Sequence, residues 1–227
     1  MGFFWEGLPP YVIGWARDLL GEHVVAVETG TFRGDTSELL AKAFGSCVTI
    51  ERSPSLAENA RARFSKDSTV TVLEGSSRER LAEALPAGNS PAFFWLDAHG
   101  VYDYDGPDTE ENPLVHELET ILSRRGQLLN VIAVDDARGM GTQPDWPPLN
   151  DVFSILDRFE YVAVIVDDAL VAAPKAANPN FYELYKKSRM VEVSAVFHVW
   201  PQVSGVVKAR RWSDTAVMRA QGVINRR

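Results

Sequence analysis

Val24-Val25-Ala26-Val27-Glu28-Thr29-Gly30-Thr31-Phe32-Arg33-Gly34-Asp35-Thr36-Ser37 decides how the rest of the chain is read. The opening apolar run, mostly β-branched, predicts a buried strand. Glu28 closes it, and Gly30 and Gly34 allow a tight turn. Glu38-Leu39-Leu40-Ala41-Lys42-Ala43-Phe44 then has helical composition and an apolar face. Strand, glycine turn and helix start together mark the place in an α/β sheet where a nucleotide-like ligand sits.

Outward from this stretch the pattern repeats. A helix opens at Leu8-Pro9-Pro10 and ends at Gly21, and further strands are expected at 47–51, 69–73, 92–96 and 131–134. Helices are expected from Ser53-Pro54, around Arg80–Leu85, after Pro113 and over Val152–Leu156. The runs 161–166 and 169–173 flank Asp167-Asp168 and read as a tight hairpin. Alternation of this kind predicts an α/β fold: a Rossmann-like, doubly wound, mostly parallel seven-stranded sheet with an antiparallel terminal hairpin. Residues 1–174 form that core with its N-terminal helix. Residues 175–227 read as a C-terminal extension, with a helix at 178–187, strands at 191–197 and 203–207 and a last helix at 216–224. It is expected to cover the sheet edge, lid the site or make a homodimer contact.

The length of 227 residues suits one decorated domain, and 45% hydrophobic with 24% charged residues is an ordinary globular composition. The formal charge of -8 argues against a nucleic-acid partner, which needs clustered cations. The basic Lys208-Ala209-Arg210-Arg211 and Arg226-Arg227 read as solvated surface or interface. Cys47, the single cysteine, sits in an apolar run and reads as a core residue. The start Met1-Gly2-Phe3-Phe4-Trp5-Glu6 lacks a basic, then apolar, leader, and no run approaches the ~20 apolar residues of a membrane span. A cytoplasmic protein with no membrane partner is the expectation.

Ligands in such sheets bind outside the carboxyl ends of the strands. Those ends here carry Glu28-Thr29-Gly30, Glu51, Glu74-Gly75-Ser76-Ser77, Asp97-Ala98-His99 and Asp135-Asp136. Carboxylates gathered at one edge repel unless a cation or hydroxyls offset them, which suits a site better than a decoration. The first turn is Glu28-x-Gly30-x-x-x-Gly34 and departs from the Gly-x-Gly-x-x-Gly of dinucleotide enzymes. An acid ahead of the first glycine disfavours a pyrophosphate and suits a ligand with an ammonium group. Glu51 follows Gly30 by 21 residues, where an acid can take both hydroxyls of a ribose.

On these residues the chain resembles the class I S-adenosylmethionine-dependent methyltransferases, over roughly residues 22–174. The Glu-Thr-Gly-Thr-Phe-Arg-Gly turn, Glu51 and the closing hairpin carry the likeness. The resemblance implies that Glu28, Thr29, Gly30, Thr31, Gly34 and Ser37 hold the amino-acid part of S-adenosylmethionine. It implies Glu51 on the ribose and Gly75, Ser76 and Ser77 beside the adenine, with Asp97 bordering the cofactor. The family often has an aspartate where this chain has Ser76 or Ser77.

A narrower likeness is to divalent-metal-dependent small-molecule O-methyltransferases of the catechol and macrocin types. It implies Asp97, Asp135 and Asp136 as ligands of Mg²⁺ or another divalent cation that binds the acceptor hydroxyl. His99 is the candidate general base, since imidazole titrates near neutrality, with Asp97 beside it in the catalytic set. The catechol type commonly uses a lysine, and none is placed here.

Other readings stay open. Asp135-Asp136 also suits a cap or turn, and His99 a structural hydrogen-bonding role; Asp167-Asp168 reads as a turn and His116 as a surface or packing residue. Tyr102, Tyr104, Trp146 and Trp200 either line an acceptor pocket or simply pack. The acidic loop from Val101 to Asn112 would favour a cationic acceptor such as an amino sugar. The expected activity is methylation of a hydroxyl on a small hydroxylated molecule with Mg²⁺ assistance. Alternatives are metal-independent N- or O-methylation, an NAD-linked enzyme, or a non-catalytic cofactor-binding scaffold.

Overall fold

The computed structural model describes residues 7–99 and 112–189. The elements are α1 (Pro10–Leu20), β1 (Val25–Thr29), α2 (Asp35–Phe44), β2 (Cys47–Glu51), α3 (Pro54–Arg63), β3 (Val70–Glu74), α4 (Ser77–Ala84) and β4 (Ala92–Leu96). They continue as α5 (Leu114–Arg125), β5 (Asn130–Val134), α6 (Leu149–Arg158), β6 (Tyr161–Val166) and β7 (Ala169–Pro174). Residues 181–189 are helical.

All seven strands join one sheet in the order β3-β2-β1-β4-β5-β7-β6. β1 to β5 are parallel, and β7 runs antiparallel to both β5 and β6. The chain starts mid-sheet at β1, steps outward to β3, then returns to the other side of β1 as β4. That reversal opens a crevice at the carboxyl ends of β1 and β4.

Alternate residues of each central strand feed opposite cores. Ala26, Phe93, Trp95, Val131 and Ala133 pack with α1 and α2, whereas Val27, Phe94, Leu96, Ile132 and Val134 pack with α4, α5 and α6. With both faces covered, β4 and β5 are apolar almost without interruption. The caps follow from local chemistry. Ser53 accepts from Leu56 N at 3.2 Å to start α3, and Asn112 Oδ1 accepts from Leu114 N at 3.0 Å to start α5. Gly21, at φ 77°, ends α1 with its N–H on Arg17 O. α4 begins three residues before Arg80, because the Gly75-Ser76 turn feeds straight into the helix.

The described part of the extension packs on α1. Trp15 stacks on Phe181 at 5.3 Å and donates to Asn180 O at 3.1 Å, and Leu184 is buried in the same core. The expected strands at 191–197 and 203–207, the helix at 216–224, Trp200 and the loop carrying Tyr102 and Tyr104 lie outside the described residues. Among the described residues, no helix is long and apolar enough to cross a membrane.

Candidate functional site

The site grows from the end of β1. Glu28 is fully buried; its Oε2 accepts from the Ser37 hydroxyl at the start of α2 and from Thr49 Oγ1 on β2 at 2.7 Å. Thr49 is paired in turn with Thr31 Oγ1 at 2.6 Å. Glu28 Oε1 has no hydrogen-bond partner among the described residues. Burial pushes this carboxyl up to about 7, the Ser37 and Thr49 bonds pull it down, and the charge of Glu51 adds to the rise.

The glycines of the turn serve the protein's own packing. At Gly30, φ is 86° and a Cβ would lie 2.4 Å from the carbonyl oxygen of Asp97, so the turn can rest against the end of β4 only as glycine. Gly34, at φ 81°, lies under the Phe64 ring in the same way, with a Cβ 2.7 Å from it. Phe32 between them is held at φ 50°, a sparsely populated region for a bulky residue. Its N–H donates to Glu51 Oε2 at 2.8 Å, and Ser53 N donates to Glu51 Oε1 at 2.9 Å. Glu51 thus ties the first turn to the second, and each oxygen keeps acceptor capacity for a ligand diol. Beyond it, Gly75 N bonds Glu51 O at 2.9 Å, and Ser76 and Ser77 are buried at the start of α4.

On the other side of β1, Asp97 N donates to Thr29 O at 3.0 Å, and Asp135 N to Leu96 O at 3.0 Å. Burial drives the Asp97 carboxyl well above its ordinary value, and the charges of Asp135, Glu28 and Asp136 drive it further. Burial likewise pushes Asp135 up to about 6, opposed chiefly by the Asp136 N–H that it accepts at 2.9 Å. Asp136, at φ 51°, instead pairs with Arg138 at 2.7 Å, and Arg138 also pairs with buried Asp168 of the hairpin turn. Among the described residues, no three such side chains converge to hold a metal ion. Asp97, Asp135 and Asp136 share this sheet edge, and the third of them is paired with the guanidinium of Arg138.

His99 lies next to this edge with its side chain 1% exposed. Its Nε2 is 3.6 Å from Glu117 Oε2, too long for a hydrogen bond, and the Trp146 ring is tilted over it at 4.8 Å. Both ring nitrogens and both Glu117 oxygens are without partners among the described residues. Trp146 is fixed from behind by Gly139, where a Cβ would sit 2.7 Å from the indole. His116 faces away, its Nε2 3.0 Å from Arg78 O.

Three participants are absent from the sequence-based list. Glu117 had a legible signal: it falls on the apolar face of α5, three residues after Leu114 and four before Ile121. Thr49 gave none, because a threonine in a strand is ordinary. Asp168 read as a turn residue, yet it also accepts from Arg138 N at 3.0 Å and so holds the loop after β5.

No known protein family matches the sequence, and no curated protein does. Solved structures match the fold. An O-methyltransferase from Bacillus cereus in complex with SAH (S-adenosylhomocysteine) superposes with a TM-score of 0.56 at 16% identity, covering 74% of this chain and 82% of that one. A candidate methyltransferase from Streptococcus mutans, also with SAH, gives 0.53 at 11% identity over 71% and 94% of the two chains. A candidate rRNA-methylase from Clostridium thermocellum gives 0.52 at 12% identity over 76% and 99%. The chain thus has the Rossmann-like methyltransferase fold, closing hairpin included.

Proposed function

We propose that the protein is an S-adenosylmethionine-dependent methyltransferase that methylates a hydroxyl of a small molecule. One observation carries the reading: at the topological switch point of a methyltransferase fold, a buried carboxylate, Glu28, keeps one oxygen without a donor among the described residues. A cofactor with an α-ammonium group answers that vacancy, and a ribose diol suits Glu51 beside it. Bound S-adenosylmethionine supplies an electrophilic methyl group. The chain's own residues do the rest: Glu28 and Glu51 orient the cofactor, and Ser76 and Ser77 border its base. His99, close enough to Asp135 for its charge to act on that carboxyl, is the residue to accept the proton an acceptor hydroxyl loses. The overall charge of -8 favours a small acceptor over RNA.

The test is ligand-induced stabilisation. SAH at about a hundredfold excess over its Kd adds about 2.7 kcal/mol, which for a chain of this size raises Tm by about 5–10 °C. No shift at millimolar SAH would remove the reading. Within it, Glu51→Ala should weaken SAH binding by about 1–3 kcal/mol, measured by calorimetry, because a charge-assisted hydrogen bond is lost. Unchanged affinity would take Glu51 out of the site.

A further inference from the structure

Among the described residues, Glu28 is a carboxyl with no counter-charge. The titratable groups that face it are acids or a thiol: Cys47 and Glu51 from β2, and Asp97 from the end of β4. α2 offers it only the Ser37 hydroxyl, while Asp35, Glu38 and Lys42 of that helix engage Arg63 or one another at the surface. A buried carboxylate with one unsatisfied oxygen and acidic neighbours is strongly disfavoured against its neutral acid.

We propose that the empty site holds Glu28 as the neutral acid and that a ligand bearing an α-ammonium group expels this proton on binding, so loading and deprotonation are one event. The inference rests on the reading that the site takes S-adenosylmethionine and its product. The Oε–H bond breaks and the proton passes to solvent. The carboxylate that remains faces the ligand's ammonium at hydrogen-bond distance or across one water, and no other group is transferred. The ammonium supplies the positive charge that the fold withholds. An adenosine thioether without the amino-acid part, such as 5′-methylthioadenosine, has nothing to exchange for the proton.

The sign of the pH dependence follows. The free carboxyl titrates at about 7. Below that pH binding has to displace the proton, so the Kd for SAH rises about tenfold per unit of falling pH. Above it, Glu28 adds no dependence.

The experiment is calorimetric titration of the full chain with SAH at about pH 6.5, in two buffers of different ionisation enthalpy. Net release of a substantial fraction of a proton per SAH is expected, and close to none with 5′-methylthioadenosine. Glu28→Gln copies the neutral acid and keeps an acceptor for Ser37 and Thr49, so it should fold. It should release almost no proton and bind SAH weakly, without pH dependence. SAH binding without release overturns the inference, as does release that persists in Glu28→Gln, which would place the proton on Asp97 or Asp135. Absence of SAH binding at every pH overturns the proposed function as well, so the two failures are distinguishable.

Discussion

Gly30→Ala is expected to destabilise the protein by about 2–6 kcal/mol and to abolish the SAH-induced rise in Tm. Two costs add. A backbone at φ 86° is strained for any L side chain, at about 1–3 kcal/mol. The new Cβ would also lie 2.4 Å from Asp97 O and 2.9 Å from Asp97 C, and overpacking of this kind costs about 1–3 kcal/mol. The neighbour here is backbone, not the tip of a flexible side chain, so it can yield only by moving the end of β4. That movement breaks the bond from Asp97 N to Thr29 O and separates the two strand ends that make the crevice. Urea unfolding with and without SAH reads both effects. A loss below about 1 kcal/mol with the ligand response intact would show that the turn is looser than its geometry.

Phe93→Ala should cost about 3–5 kcal/mol, the range for removing a fully buried aromatic ring. Phe93 is the second residue of β4, has no exposed surface, and stacks on Phe44 of α2 at 4.8 Å with an interplanar angle of 19°. Its removal opens a cavity between the sheet and α2, the helix that presents Ser37 to Glu28. The expected loss corresponds to a Tm fall of about 6–20 °C, read by calorimetry. Ligand response in the surviving folded fraction should remain, because Phe93 touches neither Glu28 nor Glu51 among their hydrogen-bonding partners. A fall of only a degree or two would mean that the neighbouring side chains close the cavity.

These two positions separate what was legible from what was not. The β4 run Ala92-Phe93-Phe94-Trp95-Leu96 declares a strand buried on both faces, and the structure places it beside β1 in the sheet centre. Gly30 declares a turn. That its hydrogen must fit against the peptide of Asp97, 67 residues later, is invisible until β4 returns beside β1. Glu28 and Glu51 stood out as acids at strand ends, but only packing left one oxygen of Glu28 without a donor among the described residues and put both oxygens of Glu51 on backbone N–H groups. Asp97, Asp135 and Asp136 looked equivalent in the sequence. The fold distinguishes them, because Asp136 pairs with Arg138, which the hairpin residue Asp168 also holds, while the charge of Asp135 adds to the burial that disfavours ionised Asp97.

The amino-acid sequence by itself determined the element order, the parallel sheet with its antiparallel hairpin and the row of acids at the strand ends. These follow from local periodicity, glycine turns and caps, which each segment carries within itself. The tertiary structure decided which acids are satisfied, which are left waiting and which are neutralised. Burial and charge pairing depend on residues far apart in the chain, and a carboxyl takes its chemistry from what the fold sets around it.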